Sequence, residues 1–477
     1  MNLMNIYYLF PCFLQNFAIS SYSMVLQRRY YGEDFIRWCE IINSQEHWTQ
    51  AQIEQYQLEN VQRLIELASK YVPYYRKSFA YSIEFNKKLE NLNDLKKLPF
   101  LEKEAIRKDA TQLVDERLNI HFLHQERTSG STGTPLVIYW PKNMYPKWWA
   151  IDEQRTRFWA GVAQSMPRAM VGGRPIVKGD SKGPYWRYNY IWKQLYISSY
   201  HISNVTAPGF INAIRQYGSQ WITGYGSAIA LLGKWLCDHS VEKPQIRAVL
   251  TSGDNLSQRN RHDIEEGFGC KVFDYYGSAE GCLLISECEH GRMHIQPESG
   301  ILEIINEHGK SCKPEEIGEM VVTGLLNDAM PLIRYRTGDL GSWSKETICP
   351  CGRMSPLISH IEGRNDDYFF LEDGRRVGRL STAIKQSLTI HSAQIVQDSL
   401  NHAWLLIQPA ENYKDSHGEI IKEDIISRIG NFDLDICTVD LIPKTSIGKQ
   451  RLVVRLFNRM ELAELYRREL PIIPWQC

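Results

Sequence analysis

The chain has 477 residues, enough for two to four domains and a sizeable core. Its 55 basic and 55 acidic side chains cancel, which excludes a protein-wide field that would draw it to nucleic acid or to an anionic membrane. With 43% hydrophobic and 23% charged residues it reads as a folded globule, and its eleven scattered cysteines suit a reducing, cytoplasmic setting better than a disulfide framework.

The first 24 residues are apolar, yet no Lys or Arg precedes Arg28, and Asn, Gln and Pro interrupt the run. Both facts argue against a signal peptide and against a membrane span. The expectation is a segment packed on the first domain, with peripheral membrane contact as the alternative. Ile53, Val61, Leu64, Ile65, Ala68 and Val72 recur at helical spacing, and Pro73 stops that helix. Residues 86–115 suggest more short helices.

Thr128-Ser129-Gly130-Ser131-Thr132-Gly133-Thr134-Pro135 comes next, followed by the β-forming Leu136–Trp140. Glycines let several backbone N–H groups converge on one anion, and the hydroxyls add donors. The loop is no Walker A motif, because no Gly-Lys-Ser/Thr and helix follow. Phosphate gripping and an ordinary polar hairpin are both open at this point. Trp148, Trp149, Phe158 and Trp159 suit either an aromatic pocket or plain core packing.

From about 168 onward, β-like runs such as Ala169–Val171 and Tyr196–Ile202 alternate with helical stretches, which predicts a parallel or mixed sheet covered by helices. The clearest unit is a strand at 246–251, a turn at Ser252–Asn255, a helix over 257–268 with Ser257 as N-cap, and a strand at 271–276. Loops after strand C-termini are where such sheets bind ligands. Ile301–Ile305, Glu319–Val322 and Leu332–Tyr335 read as strands of a smaller antiparallel subdomain, at about 296–345. A short α+β segment follows Gly363–Asp367 and ends in Thr445-Ser446-Ile447-Gly448-Lys449-Gln450-Arg451.

Five stretches stand in order: Thr128–Pro135, Tyr276–Glu280, Tyr335–Leu340, Gly363–Asp367 and Thr445–Arg451. As a set they resemble the adenylate-forming (acyl-CoA synthetase-like) superfamily. Within it the chain is similar to the phenylacetate–CoA ligase branch and to the CapK-type proteins linked to surface polysaccharides. The resemblance implies an α/β fold with a large N-terminal AMP-binding domain over 1–363 and a small mobile α+β C-terminal domain over 364–477. It also implies ATP-dependent activation of a carboxylic acid as an acyl-adenylate, release of pyrophosphate, and transfer to CoA or another thiol, amine or hydroxyl. A small carboxylate and a nucleotide are the implied partners, with no nucleic acid. A role in surface or capsular polysaccharide biosynthesis follows from the CapK likeness.

The same resemblance implies roles residue by residue. Thr128, Ser129, Gly130, Ser131, Thr132 and Gly133 would hold the departing pyrophosphate. Gly253 and Asp254 would lie against adenine, and Tyr276 would stack on it beside Gly277 and Ser278. Glu280 would hold Mg²⁺, Asp339 the ribose hydroxyls, and Arg364 would touch the nucleotide. Asp366 would be the hinge, and Lys449 would bridge the carboxylate and the α-phosphate once the domains close. Tyr200, His201, Tyr225 and Gly226 fall where relatives line the acid pocket. Ala279 departs from the pattern, which has Thr or Ser there. Leu371–Leu380 departs too, being basic where acyl–CoA synthetases have a Gly-rich loop. These departures keep a degenerate nucleotide-binding scaffold in view as the alternative.

Cys349-Pro350-Cys351-Gly352 looks like a zinc knuckle. With Cys288 and His294 it would make a structural S₃N site, and His290 is the alternative ligand.

Overall fold

The computed structural model describes residues 3–80, 89–127, 136–178, 181–254, 256–362, 369–373, 375–377, 380, 389–410, 412–430, 432–440, 442 and 452–456. Five helices open the chain: α1 (Leu3–Leu9), α2 (Cys12–Tyr30), α3 (Glu33–Ser44), α4 (Gln50–Tyr71) and α5 (Pro73–Ala80). The start of α4 is fixed by a capping box, in which the Thr49 side chain and Gln52 satisfy each other's backbone N–H groups. Its Ile53, Val61, Leu64, Ile65 and Ala68 are buried, as their spacing predicts. Helix α6 (Lys103–Lys108) leads to a separate hairpin of β1 (His124–Arg127) and β2 (Val137–Trp140), and α7 (Met144–Asp152) follows.

A twelve-stranded sheet dominates the large N-terminal part. Its strands are β3 (Arg168–Gly172), β4 (Trp186–Asn189), β5 (Gln194–Ser198), β6 (Trp221–Gly224), β7 (Ala248–Ser252), β8 (Lys271–Gly277), β9 (Leu284–Glu287), β10 (Met293–Ile295), β11 (Gly300–Ile305), β12 (Gly318–Gly324), β13 (Tyr335–Trp343) and β14 (Leu357–Glu362). They run in the order β11-β12-β13-β14-β10-β9-β8-β7-β6-β3-β5-β4. The block β8-β7-β6-β3-β5 is parallel, and the remaining pairings are antiparallel. The antiparallel strands expected as a separate subdomain therefore form and continue into the parallel block as one sheet.

Helices α8 (Ala207–Gln216), α9 (Gly226–Asp238) and α10 (Gln258–Phe268) connect the parallel strands and bury their apolar faces with Val171, Ile197, Ile222 and Val249. The Ser257 side chain caps α10 as expected. Gly233 and Gly267 let α9 and α10 touch backbone to backbone, because a Cβ on either would overlap the other helix. One strand starts later than the sequence suggests. Residues 332–334 are irregular because Arg334 is held at φ +49°, with its buried guanidinium in a two-pronged pair with Glu303 at 2.9 Å. That pair pulls the backbone out of the strand conformation.

The C-terminal part holds a small hairpin, β15 (Phe369–Phe370) with β16 (Arg376–Val377), and a four-stranded sheet covered by α11 (Asp415–Ile429). That sheet consists of β17 (Ile390–Gln397), β18 (His402–Pro409), β19 (Asp433–Thr438) and β20 (Val453–Arg455), in the order β19-β18-β17-β20. The expected boundary at 363/364 lies outside the described residues. Among the described residues no helix is long and apolar enough to cross a membrane.

Candidate active site and cysteine–histidine centre

Strand β8 ends where β13 approaches, and two tyrosine–carboxylate pairs link them. The Tyr276 hydroxyl donates to Asp339 Oδ2 at 2.8 Å, and the Tyr335 hydroxyl donates to Glu280 Oε1 at 3.0 Å. Each stretch thus contributes one tyrosine and one acid, and each pair joins one residue of each. Tyr335 is fully buried and Glu280 is nearly so. Burial, reinforced by the Asp339 carboxylate, pushes the Tyr276 phenol well above its usual range and keeps it a neutral donor. The Asp339 turn is built by Thr337, whose hydroxyl accepts from the Asp339 N–H and donates to Met320 O. Lys103 reaches the same turn at Thr337 O. Sequence reasoning missed Tyr335 and Lys103. For Tyr335 the signal was its place at the head of Tyr-Arg-Thr-Gly-Asp.

Gly281, at φ +64°, lies against Trp140 and Met144, so a Cβ there would overlap the indole. Strand β2, which leaves the Thr128–Pro135 loop, therefore passes beside Glu280. The loop residues Thr128, Ser129, Gly130, Ser131, Thr132 and Gly133 lie outside the described residues, as do Arg364, Asp366 and Lys449. Gly253 turns at φ +83°. The carboxylate of Asp254 accepts from the N–H groups of Gly226 (2.8 Å) and Ser227 (3.1 Å), and from the Ser227 hydroxyl. It caps α9, and this ties the turn expected to meet adenine to one wall of the expected acid pocket.

Tyr200, expected among the acid-pocket residues, lies against the C-terminal part. It is 1% exposed and packs with Phe369, Leu371, Val377 and Leu380 in the core of the C-terminal part. Its hydroxyl donates to Gly173 O (3.0 Å) and accepts from Arg428 (3.2 Å), while Arg375 donates to its carbonyl (3.0 Å). Leu371, Val377 and Leu380 of the departing stretch pack on it. His201 is also buried. It pairs with Ser198 at 2.7 Å and stacks on Tyr185 at 4.6 Å. Tyr225 precedes α9, with its hydroxyl facing Gly173 beside that of Tyr200. The four Trp/Phe candidates share no pocket. Trp148 lies beside Gly277, Trp149 stacks near Tyr30 and Tyr31, Phe158 is exposed, and Trp159 lies edge-on to His294.

Asp274, two residues before Tyr276, carries a testable consequence of burial. Burial pushes its carboxyl up to about 7; the Thr251 hydroxyl, at 2.7 Å, opposes the shift and Glu287 adds to it. The native protein thus keeps a proton that the unfolded chain releases near pH 4. Stability falls as pH rises from about 4 to about 7 and is level above, by at most about 4 kcal/mol. Asp274→Asn is expected to flatten that slope and to raise the unfolding temperature at pH 8, read by thermal melts across pH. An unchanged slope would show that another group sets it.

The second site lies where β9, β10 and the turn before β14 meet. Ligand atoms of Cys288, His294, Cys349 and Cys351 all fall within 4.8 Å of one another. Cys288 and Cys349 sulfurs are 3.7 Å apart, and Cys351 Sγ is 3.4 Å from His294 Nε2. Tetrahedral zinc with Zn–S bonds near 2.3 Å requires sulfurs about 3.8 Å apart, so the donor set fits. His294 Nδ1 meets Ser355 Oγ at 2.9 Å, which turns Nε2 toward the thiols. Burial pushes its imidazole down to about 4, and the neighbouring Arg353 adds to the shift. His290, the alternative ligand, is exposed on the turn after Cys288 and outside the cluster. Three thiolates around one Zn²⁺ would leave a net negative charge, and Arg353, stacked on Trp159 at 4.3 Å, lies beside the cluster.

Residues 370–456 match the CapK C-terminal domain family. Over 371 residues the chain is 29% identical to Protein CapK of Staphylococcus aureus, covering 76% of this chain and 80% of that one. It is 25% identical over 394 residues to a phenylacetate-coenzyme A ligase of Thermus thermophilus, covering 78% and 84%. The chain is a homologue of CapK and of the phenylacetate-coenzyme A ligases. A solved 2-hydroxyisobutyryl-CoA ligase in the postadenylation state matches with a TM-score of 0.53, at 16% identity, over 87% of this chain and 92% of that one. At that identity the likeness shows the fold, which is that of the adenylate-forming ligases. In this CapK-like chain the two tyrosine–acid pairs and the cysteine–histidine cluster lie at the ends of one continuous sheet block.

Proposed function

We propose that the protein is an ATP-dependent ligase that joins a carboxylic acid to AMP, releases pyrophosphate, and then passes the acyl group to a thiol. The observation that carries this is the convergence of Tyr276, Glu280, Tyr335 and Asp339 at the C-terminal end of β8, the place where such sheets receive ligands. Asp339 accepts the ribose hydroxyls once Tyr276 yields its hydrogen bond to stack on adenine. Glu280, held by Tyr335, supplies the carboxylate for Mg²⁺, which neutralises phosphate charge when bound. The Thr128–Gly133 loop grips the leaving pyrophosphate, Arg364 contacts the nucleotide, and Lys449 arrives from the C-terminal domain about the Asp366 hinge to draw the carboxylate onto the α-phosphate. Cys288, His294, Cys349 and Cys351 hold a structural zinc.

CoA is the acceptor favoured by the relatives, whose names include phenylacetate-coenzyme A ligase. A role in surface polysaccharide synthesis rests on the likeness to CapK alone. Ala279 and the basic 371–380 stretch favour the second reading, a nucleotide-binding scaffold without catalysis.

Radiolabelled pyrophosphate exchange into ATP, measured across a panel of carboxylic acids with phenylacetate and 2-hydroxyisobutyrate included, separates the two. Acid-dependent exchange is the expected result. Saturable ATP binding with no exchange for any acid would establish the scaffold reading instead.

A further inference from the structure

Helix α2 meets the rest of the protein largely through polar side chains. Its polar residues face the protein: Asn16 Oδ1 accepts from the Tyr188 N–H (3.0 Å), Ser20 Oγ from the Tyr190 N–H (3.0 Å), and Gln27 Oε1 from the Trp192 indole (2.7 Å). Ser23 accepts from Asn189, and Gln15 from Arg187. The reason is topological. Strand β4 is the last strand of the twelve-stranded sheet, and its outer N–H groups would otherwise stay unpaired. A helix that satisfies them turns polar side chains inward, and several large apolar ones are left facing solvent. Phe13 and Phe17 are each 68% exposed, and Tyr22, Met24 and Val25 are more than half exposed. Tyr190, on the turn after β4, extends the patch at 62%. Side chains of this kind are ordinarily buried, and a run of them along one helix marks a contact surface.

The charges identify the partner. Residues 3–32 contain no Asp or Glu, while Arg28 stands exposed on the same outward arc and Lys193 is exposed on the adjoining turn. A second copy of this face would offer Arg28 no carboxylate from the outward residues of α2 or the Tyr190 turn, the nearest acids being Glu33 and Asp34 at the start of α3. A bilayer carrying anionic headgroups meets both needs: its acyl boundary takes the phenylalanines and its phosphates take the cations. At 19 residues, α2 is about 28 Å long. No described helix is apolar enough to span a membrane, so α2 would lie flat in the interface.

We propose that α2 and the Tyr190 turn form a membrane-docking face that seats the protein on an anionic phospholipid surface. The test is flotation of the full chain with phosphatidylcholine vesicles, with and without phosphatidylglycerol. The wild type is expected to float, more strongly with the anionic lipid. Phe13→Ser/Phe17→Ser is expected to lower the bound fraction about tenfold or more. Arg28→Gln is expected to weaken binding to the anionic vesicles selectively. Both variants alter exposed side chains, and thermal melts confirm that they fold. Wild type that stays with neither vesicle type overturns the proposal. So does wild type that sediments as a dimer, is converted to monomer by Phe13→Ser/Phe17→Ser, and ignores vesicles, because the face would then belong to a second copy.

Discussion

Lys449→Ala is expected to cut acid-dependent pyrophosphate exchange by roughly a hundredfold to a thousandfold, the usual cost of removing one donor to charge that develops in a transition state. The KM for ATP should change little, because adenine and ribose are assigned to Tyr276 and Asp339 on the large sheet, where the 2.8 Å hydrogen bond joins them. Thioester formation from a pre-made acyl-adenylate should also survive, since no new bond to the α-phosphate is made in that step. Arginine is not expected to rescue the exchange, as its planar fork cannot replace a compact ammonium between two anions. A Lys449→Ala protein with full exchange would move the adenylation charge to another residue. Loss of ATP binding would mean that the lysine holds the nucleotide and not the reaction.

Cys349→Ser is expected to remove stoichiometric zinc and to lower the unfolding temperature. The cluster ties the end of β9, β10 and the turn before β14 together through Cys288, His294, Cys349 and Cys351, with Trp159 and Leu357 packed beside it. Ser355→Ala is the graded counterpart. It leaves all four ligands in place and frees Nδ1 of His294, which should weaken metal affinity about tenfold to a hundredfold. Elemental analysis of the purified protein and competition with a chelating dye read both. Zinc absent from the wild type would leave the cluster a set of buried thiols, and equal affinity in Ser355→Ala would show that Ser355 does not orient the ring.

How much of this was legible in the sequence depended on distance along the chain. The strand–helix–strand unit at 246–277 could be read because Ala248–Leu250 are buried on both faces, Ser257 caps its own helix, and every cue lies within ten residues of what it controls. The motif spacing brought Tyr276, Glu280 and Asp339 to notice, but not that Tyr276 and Asp339 bond each other or that Tyr335 holds Glu280. The Tyr335–Glu280 bond closes over 55 positions. The late start of β13 was hidden because it depends on Glu303 holding Arg334. The union of the antiparallel strands with the main sheet was invisible, since β10 and β14 pair across more than sixty residues. The first 24 residues were read as a packing segment, with peripheral membrane contact as the alternative. The polar ladder of α2 makes sense only once its partner, an edge strand some 170 residues away, is known.

Tyr200 is a residue of the large part that serves as core for the small one. If the C-terminal domain swings away, it leaves a tyrosine-sized void among Phe369, Leu371, Val377 and Leu380, and the hydroxyl loses Arg428. Emptying a buried aromatic site costs about 3–5 kcal/mol. That contact favours the docked arrangement, and opening the domain must offset it. A ligand that turns the domain must therefore bind the undocked form more tightly by whatever the Tyr200 contact contributes.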